Sequence, residues 1–370
     1  MIERMRRILG NIALALIVFI IMLFLAEGAW RLLISRGDLA RHFDPEIGRV
    51  NPPNTTWTIR TPEYVTTMRT NSRGFRGAEF SNAPKNDGMR ILFLGDSFVE
   101  AKQIPLETRF AERTAALLAK KLQKPVFLQT LAIGGAEPAR EFLFYDRIGV
   151  SFHPDIVVQV FFLENDLLPT AGAYLFSDTE PLRVEDIWLN PPAPCFLKCQ
   201  LLKRSEFALR LYQVLRSMRV ESPRSTRALL GEGEFYWYTK EGQEAAIQER
   251  RFDVLAAFAD AVRSRVESQE GKYIAVLIPG AFEIHPSWRK EIIVSFEDIV
   301  PREVWNPSGL LDLGIIALKK RGINVLDIRP EFHAAAEKGF LYYKLDPHLN
   351  PEGHKIVAER IYQEVFGNLP

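Results

Sequence analysis

The sequence contains 370 residues, of which 47% are hydrophobic and 25% are charged. This balance is typical of a globular protein and excludes a largely disordered chain, and the length suffices for one large domain or two ordinary ones. The 47 basic and 46 acidic residues leave a formal net charge of +1, which gives no electrostatic sign of a nucleic-acid partner.

The first predicted element is an apolar helix close to the N-terminus. Residues 8–26 hold a single strongly polar side chain, Asn11. The stretch is close to the ~20 residues that cross a bilayer and exceeds the ~7–15 residues of a signal-peptide core. A buried core helix, the alternative, would normally carry a polar stripe. We therefore predict a membrane anchor over residues 1–36, with residues 8–26 in the inner membrane of a bacterial cell.

The orientation of this anchor is inferred from the basic residues around it. Arginines flank the apolar stretch on both sides: Arg4, Arg6, Arg7, Arg31, Arg36 and Arg41. The N-terminal cluster is the closer and denser one, so the positive-inside rule favours a cytoplasmic N-terminus and a periplasmic or extracellular bulk. Trp30 lies where an interfacial aromatic residue would anchor the far end.

After the anchor, the chain changes character twice. Residues 37–88 are rich in Pro, Asn, Thr and Arg with little periodicity, which predicts an irregular stalk and lead-in. Over residues 89–370 apolar runs typical of buried strands alternate with helical patterns. The predicted strands cover residues 90–95, 125–133, 155–163, 272–279 and 323–328, and the predicted helices cover 107–122, 137–149, 245–269, 310–322 and 351–366. This alternation predicts an α/β domain built on a parallel sheet with helices on both faces.

An insert at about residues 168–241 interrupts the alternation. It carries an amphipathic helical pattern over residues 205–219 and leaves the domain on the same side as the strand ends. Its sequence does not decide among three roles for the insert, namely a lid, a substrate platform and a surface that packs on the membrane. Cys195 and Cys199 lie within it and either form a disulfide or remain two thiols, whereas a metal site is disfavoured because no nearby His completes a ligand set.

Four stretches with candidate catalytic residues follow the carboxyl ends of the predicted strands. They are Ser97 after the first strand, Gly134-Gly135-Ala136 after the second, Glu164-Asn165-Asp166 after the third, and residues 345–354 shortly after the fifth. Ligands of parallel sheets bind outside these strand ends. The sequence therefore predicts one site at this edge of the sheet.

A serine hydroxyl becomes a strong nucleophile when a histidine held by a carboxylate removes its proton. His348, with Asp346 two residues before it, is the candidate base, and Asn350 next to it is interpreted as a helix cap. His354 lies inside the predicted helix and is interpreted as structural. The oxyanion that forms needs donors, for which the backbone N–H groups of Ser97 and Gly135 and the side-chain amide of Asn165 are candidates. Asp96 is interpreted as the cap of the helix that begins at Ser97.

These blocks resemble those of the SGNH or GDSL hydrolases. The match covers "GDSF" at 95–98, the glycine in "LAIGGAEP" at 131–138, "ENDL" at 164–167 and "DPHLNPEGH" at 346–354, in the family's order along roughly residues 88–368. The resemblance implies a flavodoxin-like three-layer α/β/α fold with a five-stranded parallel sheet. It also implies ester hydrolysis or acyl transfer through a seryl intermediate without metal or cofactor.

The same resemblance assigns roles to individual residues. Ser97 would be the nucleophile, His348 the base and Asp346 its orienting acid, while Ser97 N–H, Gly135 and Asn165 would form the oxyanion hole. The Asp-x-His spacing is shorter than the family's usual Asp-x-x-His and looks like the branch that contains the alginate O-acetyltransferases. Thr130 also stands where the glycine block usually carries an Asn.

Three functions follow as hypotheses. The first is a membrane-tethered esterase that removes an acyl group, with acetyl expected, from a glycan or lipid, and it is favoured because hydrolysis is the family's default activity. The second is a polysaccharide O-acetyltransferase with the same triad, which would receive its acyl group from a membrane-bound donor protein. The third, a non-catalytic glycan-binding member, is disfavoured because Ser97, Asn165, Asp346 and His348 are all intact.

Overall fold

The fold is described from a computed structural model over residues 2–33, 41–79, 88–167, 172–176, 181–189, 230, 235–298 and 300–367. Cys195, Cys199 and the amphipathic pattern at 205–219 lie outside the described residues, so the predictions for them stay predictions. The part of the insert that is described includes an antiparallel hairpin, Gly172–Phe176 paired with Val184–Leu189.

The described strands, in chain order, are β1 (His42–Asp44), β2 (Gly48–Val50), β3 (Thr56–Arg60), β4 (Val65–Arg69), β5 (Met89–Gly95), β6 (Val126–Ala132), β7 (Ile156–Phe161), β8 (Gly172–Phe176), β9 (Val184–Leu189), β10 (Lys272–Leu277) and β11 (Val325–Asp327). The described helices are α1 (Ile2–Leu33), α2 (Ser97–Glu100), α3 (Phe110–Leu122), α4 (Pro138–Arg147), α5 (Leu163–Asp166), α6 (Lys240–Gln248), α7 (Arg251–Glu267), α8 (Ala281–Ile284), α9 (Pro286–Ser295), α10 (Gly309–Lys319), α11 (Arg329–Ala336) and α12 (Pro351–Gly367).

The central sheet has the spatial order β6-β5-β7-β10-β11, and all of its pairs are parallel. If the five strands are numbered along the chain, they lie side by side in the order 2-1-3-4-5. This is the doubly wound flavodoxin-like arrangement. The point where the order reverses falls between β5 and β7. Ser97 follows β5 and Asn165 follows β7, so both lie at the edge where such sheets bind ligands.

Helices cover both faces of this sheet. Along β5, Leu92 and Leu94 belong to the core that includes α4, α7 and α10, while Ile91 and Phe93 belong to the core that includes α3, α11 and α12. Alternate residues of a strand point to opposite faces, so a run without polar residues is what burial on both faces requires. The predicted three-layer α/β/α fold is confirmed.

One predicted helix is in fact two. The pattern at 245–269 forms α6 and α7, separated at Arg250, whose φ of 57° lies in the left-handed region. Ala246 and Phe252 are both buried, yet six residues at 100° each would place them on different sides of one straight helix. The break at Arg250 lets both face the core.

The predicted irregular lead-in contains regular structure. Within it β1 pairs with β2 and β3 pairs with β4, both antiparallel. Ile47, Val50 and Phe75 are buried in the main core, and the Phe75 ring contacts that of Phe144 edge-on, with centroids 5.3 Å apart. Strands this short give too few alternating residues for a periodic signal, which is why the sequence analysis missed them. The division at residues 36 and 88 stays a prediction.

The N-terminal helix stands apart from this core. Its segment Arg4–Gly28 has a mean hydropathy of 2.9, with none of the most apolar window buried. It is therefore long and apolar enough to cross a membrane, a property that a signal sequence near an N-terminus shares.

Candidate active site

Ser97 occupies the turn between β5 and α2. Asp96 precedes it as the helix cap, and its Oδ1 accepts the Phe98 N–H at 2.9 Å, as the sequence analysis expected. Asp96 is almost fully buried whereas Ser97 is partly exposed. Because Ser97 is the first residue of α2, its N–H is among those that intrahelical bonding leaves over. The serine therefore presents its hydroxyl at the end of the strand, while its backbone N–H interacts with the Asp96 carboxylate.

The glycine loop lies directly beside the serine. A Cβ placed on Gly134 would be 3.4 Å from the Ser97 Cβ, and the Gly134 N–H is already used, because it donates to Glu100 Oε2 at 2.9 Å. Gly135 has a φ of 71°, a left-handed conformation that favours glycine. Its N–H is thus the one in this loop that suits the predicted oxyanion donor.

Two polar side chains hold the glycine loop in place. Glu100 is buried and receives a second hydrogen bond, from Asn51 Nδ2 at 2.7 Å. Arg41 donates from Nη1 to the Gly134 carbonyl at 2.5 Å and from Nε to Asn51 Oδ1 at 3.3 Å. The loop is therefore fixed by Glu100 of α2 together with Arg41 and Asn51 of the lead-in, none of which carried a sequence motif.

Asn165 reaches the same turn from α5. Its Nδ2 donates to Asp96 Oδ2 at 2.7 Å, so the aspartate that caps α2 also fixes the amide beside the serine. Burial raises the pKa of Asp96, although the hydrogen bonds from Asn165 and Phe98 act in the opposite direction. An amide has two N–H donors. One donates to Asp96, and the other has no partner among the described residues, which suits the predicted oxyanion donor.

Replacing Asn165 by alanine is expected to lower turnover of an activated acetyl ester about 10²–10³-fold, the usual cost of one oxyanion donor. The KM should change little, because the donor acts on charge that develops during the reaction. Steady-state kinetics measure this, and Asn324→Ala is the matched control, since that amide bonds Glu364 on an exposed surface. A rate within a few-fold of wild type would remove Asn165 from the oxyanion hole.

Asp346 and His348 form a hydrogen-bonded pair. The His348 Nδ1 contacts Asp346 Oδ1, which also accepts the His348 backbone N–H at 3.2 Å. The imidazole lies against Phe98, with ring centroids 4.9 Å apart, and Phe98 is the neighbour of Ser97 in α2. The ring is therefore oriented by a carboxylate and positioned beside the helix that begins with the candidate nucleophile.

The contact between base and nucleophile is not formed in this conformation. His348 Nε2 is buried without a hydrogen-bond partner in the described part of the chain, and Ser97 Oγ lies 3.4 Å from Asp96 Oδ2 instead. Catalytic hydrogen bonds are often long in unliganded enzymes and tighten on substrate binding. The free Nε2 is the atom that a general base would use.

The sequence analysis missed the groups that hold the acid. Glu63, in the turn between β3 and β4, accepts three successive backbone N–H groups, those of Lys344 at 2.6 Å, Leu345 at 2.9 Å and Asp346 at 3.1 Å. Tyr64 donates its hydroxyl to Asp346 Oδ2 at 2.7 Å. We call these contacts the Glu63 clasp. A lone Glu-Tyr pair in a turn gives no motif, so no sequence signal pointed to it.

These contacts set the charge of the acid. Burial pushes the pKa of Asp346 upward, but the hydrogen bond and charge of His348, with the hydrogen bonds from Tyr64 and Gln103, outweigh burial and hold it well below its usual range. Asp346 therefore stays an anion across the working pH range of most enzymes. An anion there stabilises the imidazolium that forms when the base takes a proton.

Asn350 and His354, which follow the acid and base in residues 345–354, both make structural contacts. Asn350 Oδ1 caps α12 by accepting the N–H groups of Glu352 and Gly353 at 3.0 and 3.1 Å. His354 is buried, its ring stacks on Phe110 with centroids 5.2 Å apart, and its Nδ1 accepts the Phe110 N–H. Burial, with nearby arginines, lowers the pKa of His354 well below its usual value, so it stays neutral. Both interpretations made from the sequence agree with this geometry.

A cavity of about 220 Å³ adjoins the acid-base segment on one side. Pro347 and Leu345 line it together with Phe162, Phe235, Trp288 and Phe340. Aromatic walls of this kind suit an acyl chain or the apolar face of a sugar ring.

Within the described ranges, no three His, Cys, Asp or Glu side chains are grouped as ligands for a metal ion.

Comparison with solved structures finds enzymes that act on esters. The chain is similar to an acetyl xylan esterase, at 14% identity over 75% of this chain and 100% of that one, with a TM-score of 0.39. It is also similar to a lipase from a goat rumen metagenome, at 15% identity over 76% and 100%, with a TM-score of 0.42. A GDSL-like lipase from Bacteroides thetaiotaomicron shows 12% identity over 78% and 93%, with a TM-score of 0.37.

The sequence matches no protein-family model and no curated protein. At such identities the activities of the similar structures are not carried over to this chain. Its own geometry decides what its site can do.

Proposed function

We propose that this protein is a serine esterase of the SGNH type that cleaves an acyl ester, with acetyl expected, on a glycan or lipid. The observation that carries the proposal is the Asp346–His348 pair, whose ring lies against Phe98 of α2 and whose second ring nitrogen has no partner among the described residues. A histidine oriented by a carboxylate and a serine on a tight turn are the parts that covalent acyl transfer needs.

In the proposed mechanism, the Ser97 hydroxyl loses its proton to His348 Nε2 as its oxygen attacks the ester carbonyl. The N–H groups of Ser97 and Gly135 and the Asn165 amide stabilise the tetrahedral oxyanion. His348 then gives the proton to the leaving alkoxide, and an acyl-serine remains. A water molecule, deprotonated by the same nitrogen, attacks the acyl-serine and releases the acid, which restores Ser97.

The N-terminal helix completes the proposal. Its length and hydropathy suit a membrane anchor. The arginines on its N-terminal flank favour a catalytic domain on the periplasmic or extracellular side. The same triad would serve an O-acetyltransferase if a sugar hydroxyl replaced water in the second step. A membrane-bound protein that supplies acyl groups would then be a partner.

The acyl-enzyme is the test of this function. The full chain, purified in a non-ionic detergent, is incubated briefly with p-nitrophenyl acetate, and peptide mass spectrometry is expected to find the acetyl group on Ser97. Ser151→Ala is the control for another serine at a helical turn, since its hydroxyl bonds only the Ile148 carbonyl among the contacts of the described chain. Absence of an adduct on Ser97, with ester still cleaved, would overturn the seryl mechanism.

The second step separates hydrolase from transferase. The acetylated enzyme is freed of excess ester and left in buffer with and without added xylo-oligosaccharide. Loss of the adduct at the same rate in both, with acetate as the product, is expected for an esterase. Faster loss with acetylated sugar as the product would assign the protein to the transferases instead.

A further inference from the structure

A second cavity, of about 230 Å³, opens beside the glycine loop. Its wall includes three arginines, one carboxylate and both loop glycines: Arg41, Arg49, Arg140, Glu137, Gly134 and Gly135. We call it the arginine cavity. None of its three arginines takes part in the reaction steps proposed above.

The arginine cavity lies within reach of a substrate bound at Ser97. Gly134 belongs to its wall, and a Cβ on Gly134 would be 3.4 Å from the Ser97 Cβ. Arg41 is bound to the Gly134 carbonyl, so a guanidinium group stands on the loop that supplies the oxyanion donor. An ester whose carbonyl sits in the oxyanion hole can therefore extend its alcohol portion into the arginine cavity.

The charge of the arginine cavity is not balanced by its own wall. Three guanidinium groups against one carboxylate leave an excess of two positive charges (3 − 1 = 2). Arg140 donates to the carbonyls of Arg49 at 2.6 Å and Ile47 at 3.4 Å, and Arg41 donates to a carbonyl and an amide oxygen. These acceptors are neutral, so they satisfy the donors without neutralising the charge.

The arginines also act on one another. Arg140 is nearly fully buried, and burial lowers its pKa. The charges of Glu137 and Glu141 raise this pKa, while those of Arg41 and Arg49 lower it further. Like charges brought together at a partly buried wall are costly unless an anion joins them. The planar fork of arginine fits the two oxygens of a carboxylate or a phosphate.

We propose that the arginine cavity binds an anionic group, a carboxylate or a phosphate, on the alcohol portion of the ester substrate. The inference rests on the proposed esterase function and narrows its substrate class to charged esters. Arg49 is the residue to change, because its side chain is exposed, whereas Arg140 and Arg41 also hold the lead-in and the glycine loop.

The kinetic test compares three esters of similar size, namely 4-acetoxybenzoate, its neutral methyl ester and 4-acetoxyphenyl phosphate. Arg49→Gln in the full chain is expected to lower the ratio of charged to neutral kcat/KM about tenfold, through KM, as loss of a charge-assisted hydrogen bond does. The charged ester whose kcat/KM falls more in Arg49→Gln shows whether the cavity prefers a carboxylate or a phosphate. Arg147→Gln removes the same charge from an arginine on α4 that is 55% exposed and paired with Asp146, and should leave the ratio unchanged.

Binding is measured separately so that failure of the two proposals can be distinguished. Calorimetry on Ser97→Ala protein should show 4-acetoxybenzoate binding more tightly than its methyl ester, and this preference should shrink when Arg49→Gln is added. Equal binding of the two esters, unchanged by Arg49→Gln, would overturn the anionic subsite even if wild type hydrolyses both. Preferential binding without hydrolysis by wild type would instead overturn the esterase function and keep the subsite.

Discussion

Replacing Ser97 by alanine is expected to lower kcat for p-nitrophenyl acetate about 10⁴-fold or more, to a residual rate that binding and oxyanion donors alone support. Among the described residues that contact this turn, Asp96 is buried and bonded to Asn165 and Phe98, so it is not placed to form the covalent intermediate instead. The variant should fold normally, since the Ser97 hydroxyl makes one long contact of 3.4 Å.

Release of nitrophenolate by the full chain in detergent measures this effect. Ser151→Ala, with its hydroxyl on a local carbonyl, is expected to match wild type. The melting temperature of Ser97→Ala should lie close to that of wild type, which excludes unfolding as the cause of the loss. If Ser97→Ala kept a tenth of the wild-type rate or more, the nucleophile would have to lie elsewhere.

Changes to the acid-base pair are expected to have the second largest effect. Asp346→Asn should lower kcat about 10⁴-fold, because an amide cannot hold the imidazole in the required tautomer or stabilise its charged form. His348→Ala should lose a similar factor, since nothing else would accept the proton. The comparison variant is His354→Gln, which should keep kcat within a few-fold because that ring packs in the core.

The stability of Asp346→Asn tests the same interaction independently of turnover. The pKa of Asp346 is lowered from its ordinary 3.8, so the residue stabilises the fold above about pH 4, and that contribution is lost as the pH falls through the folded pKa. The difference in melting temperature between wild type and Asp346→Asn should therefore be smaller below about pH 4 than at pH 5, because the carboxylate is protonated in that range. A difference that grew toward acid pH would contradict the assigned interaction.

The sheet and its edge were predictable because they depend on local patterns. Apolar runs such as residues 90–95 have few alternatives to a strand buried on both faces, and the chain order of strands and helices restricts the topology to a few forms. The shared position of the stretches that follow the strands, at one edge of the sheet, follows from that topology. Ser97, Gly135 and Asn165 are therefore grouped by the fold itself, while the roles assigned to them stay predictions.

What could not be predicted depends on contacts between distant residues. Glu63 and Arg41 lie in segments without periodicity, and what makes them important is a partner far along the chain, Asp346 N–H or the Gly134 carbonyl. The break at Arg250 was missed for a related reason. No Gly or Pro marks the break in the sequence, and the burial of both Ala246 and Phe252 on either side of it depends on contacts with the rest of the fold.

The Glu63 clasp also has a consequence for how the protein folds. Its hydrogen bonds join residues 281 to 283 positions apart, near the full length of the domain. Closing a flexible loop of that length costs roughly 5 kcal/mol of chain entropy by the (3/2)RT ln n relation. We therefore expect this contact to form after the sheet has shortened the loop between the two segments. A partly folded chain can thus hold a complete sheet and a well-placed Ser97 while its acid still lacks support. Enzymatic turnover is therefore expected to emerge with the last step of folding, when the two ends of the domain meet.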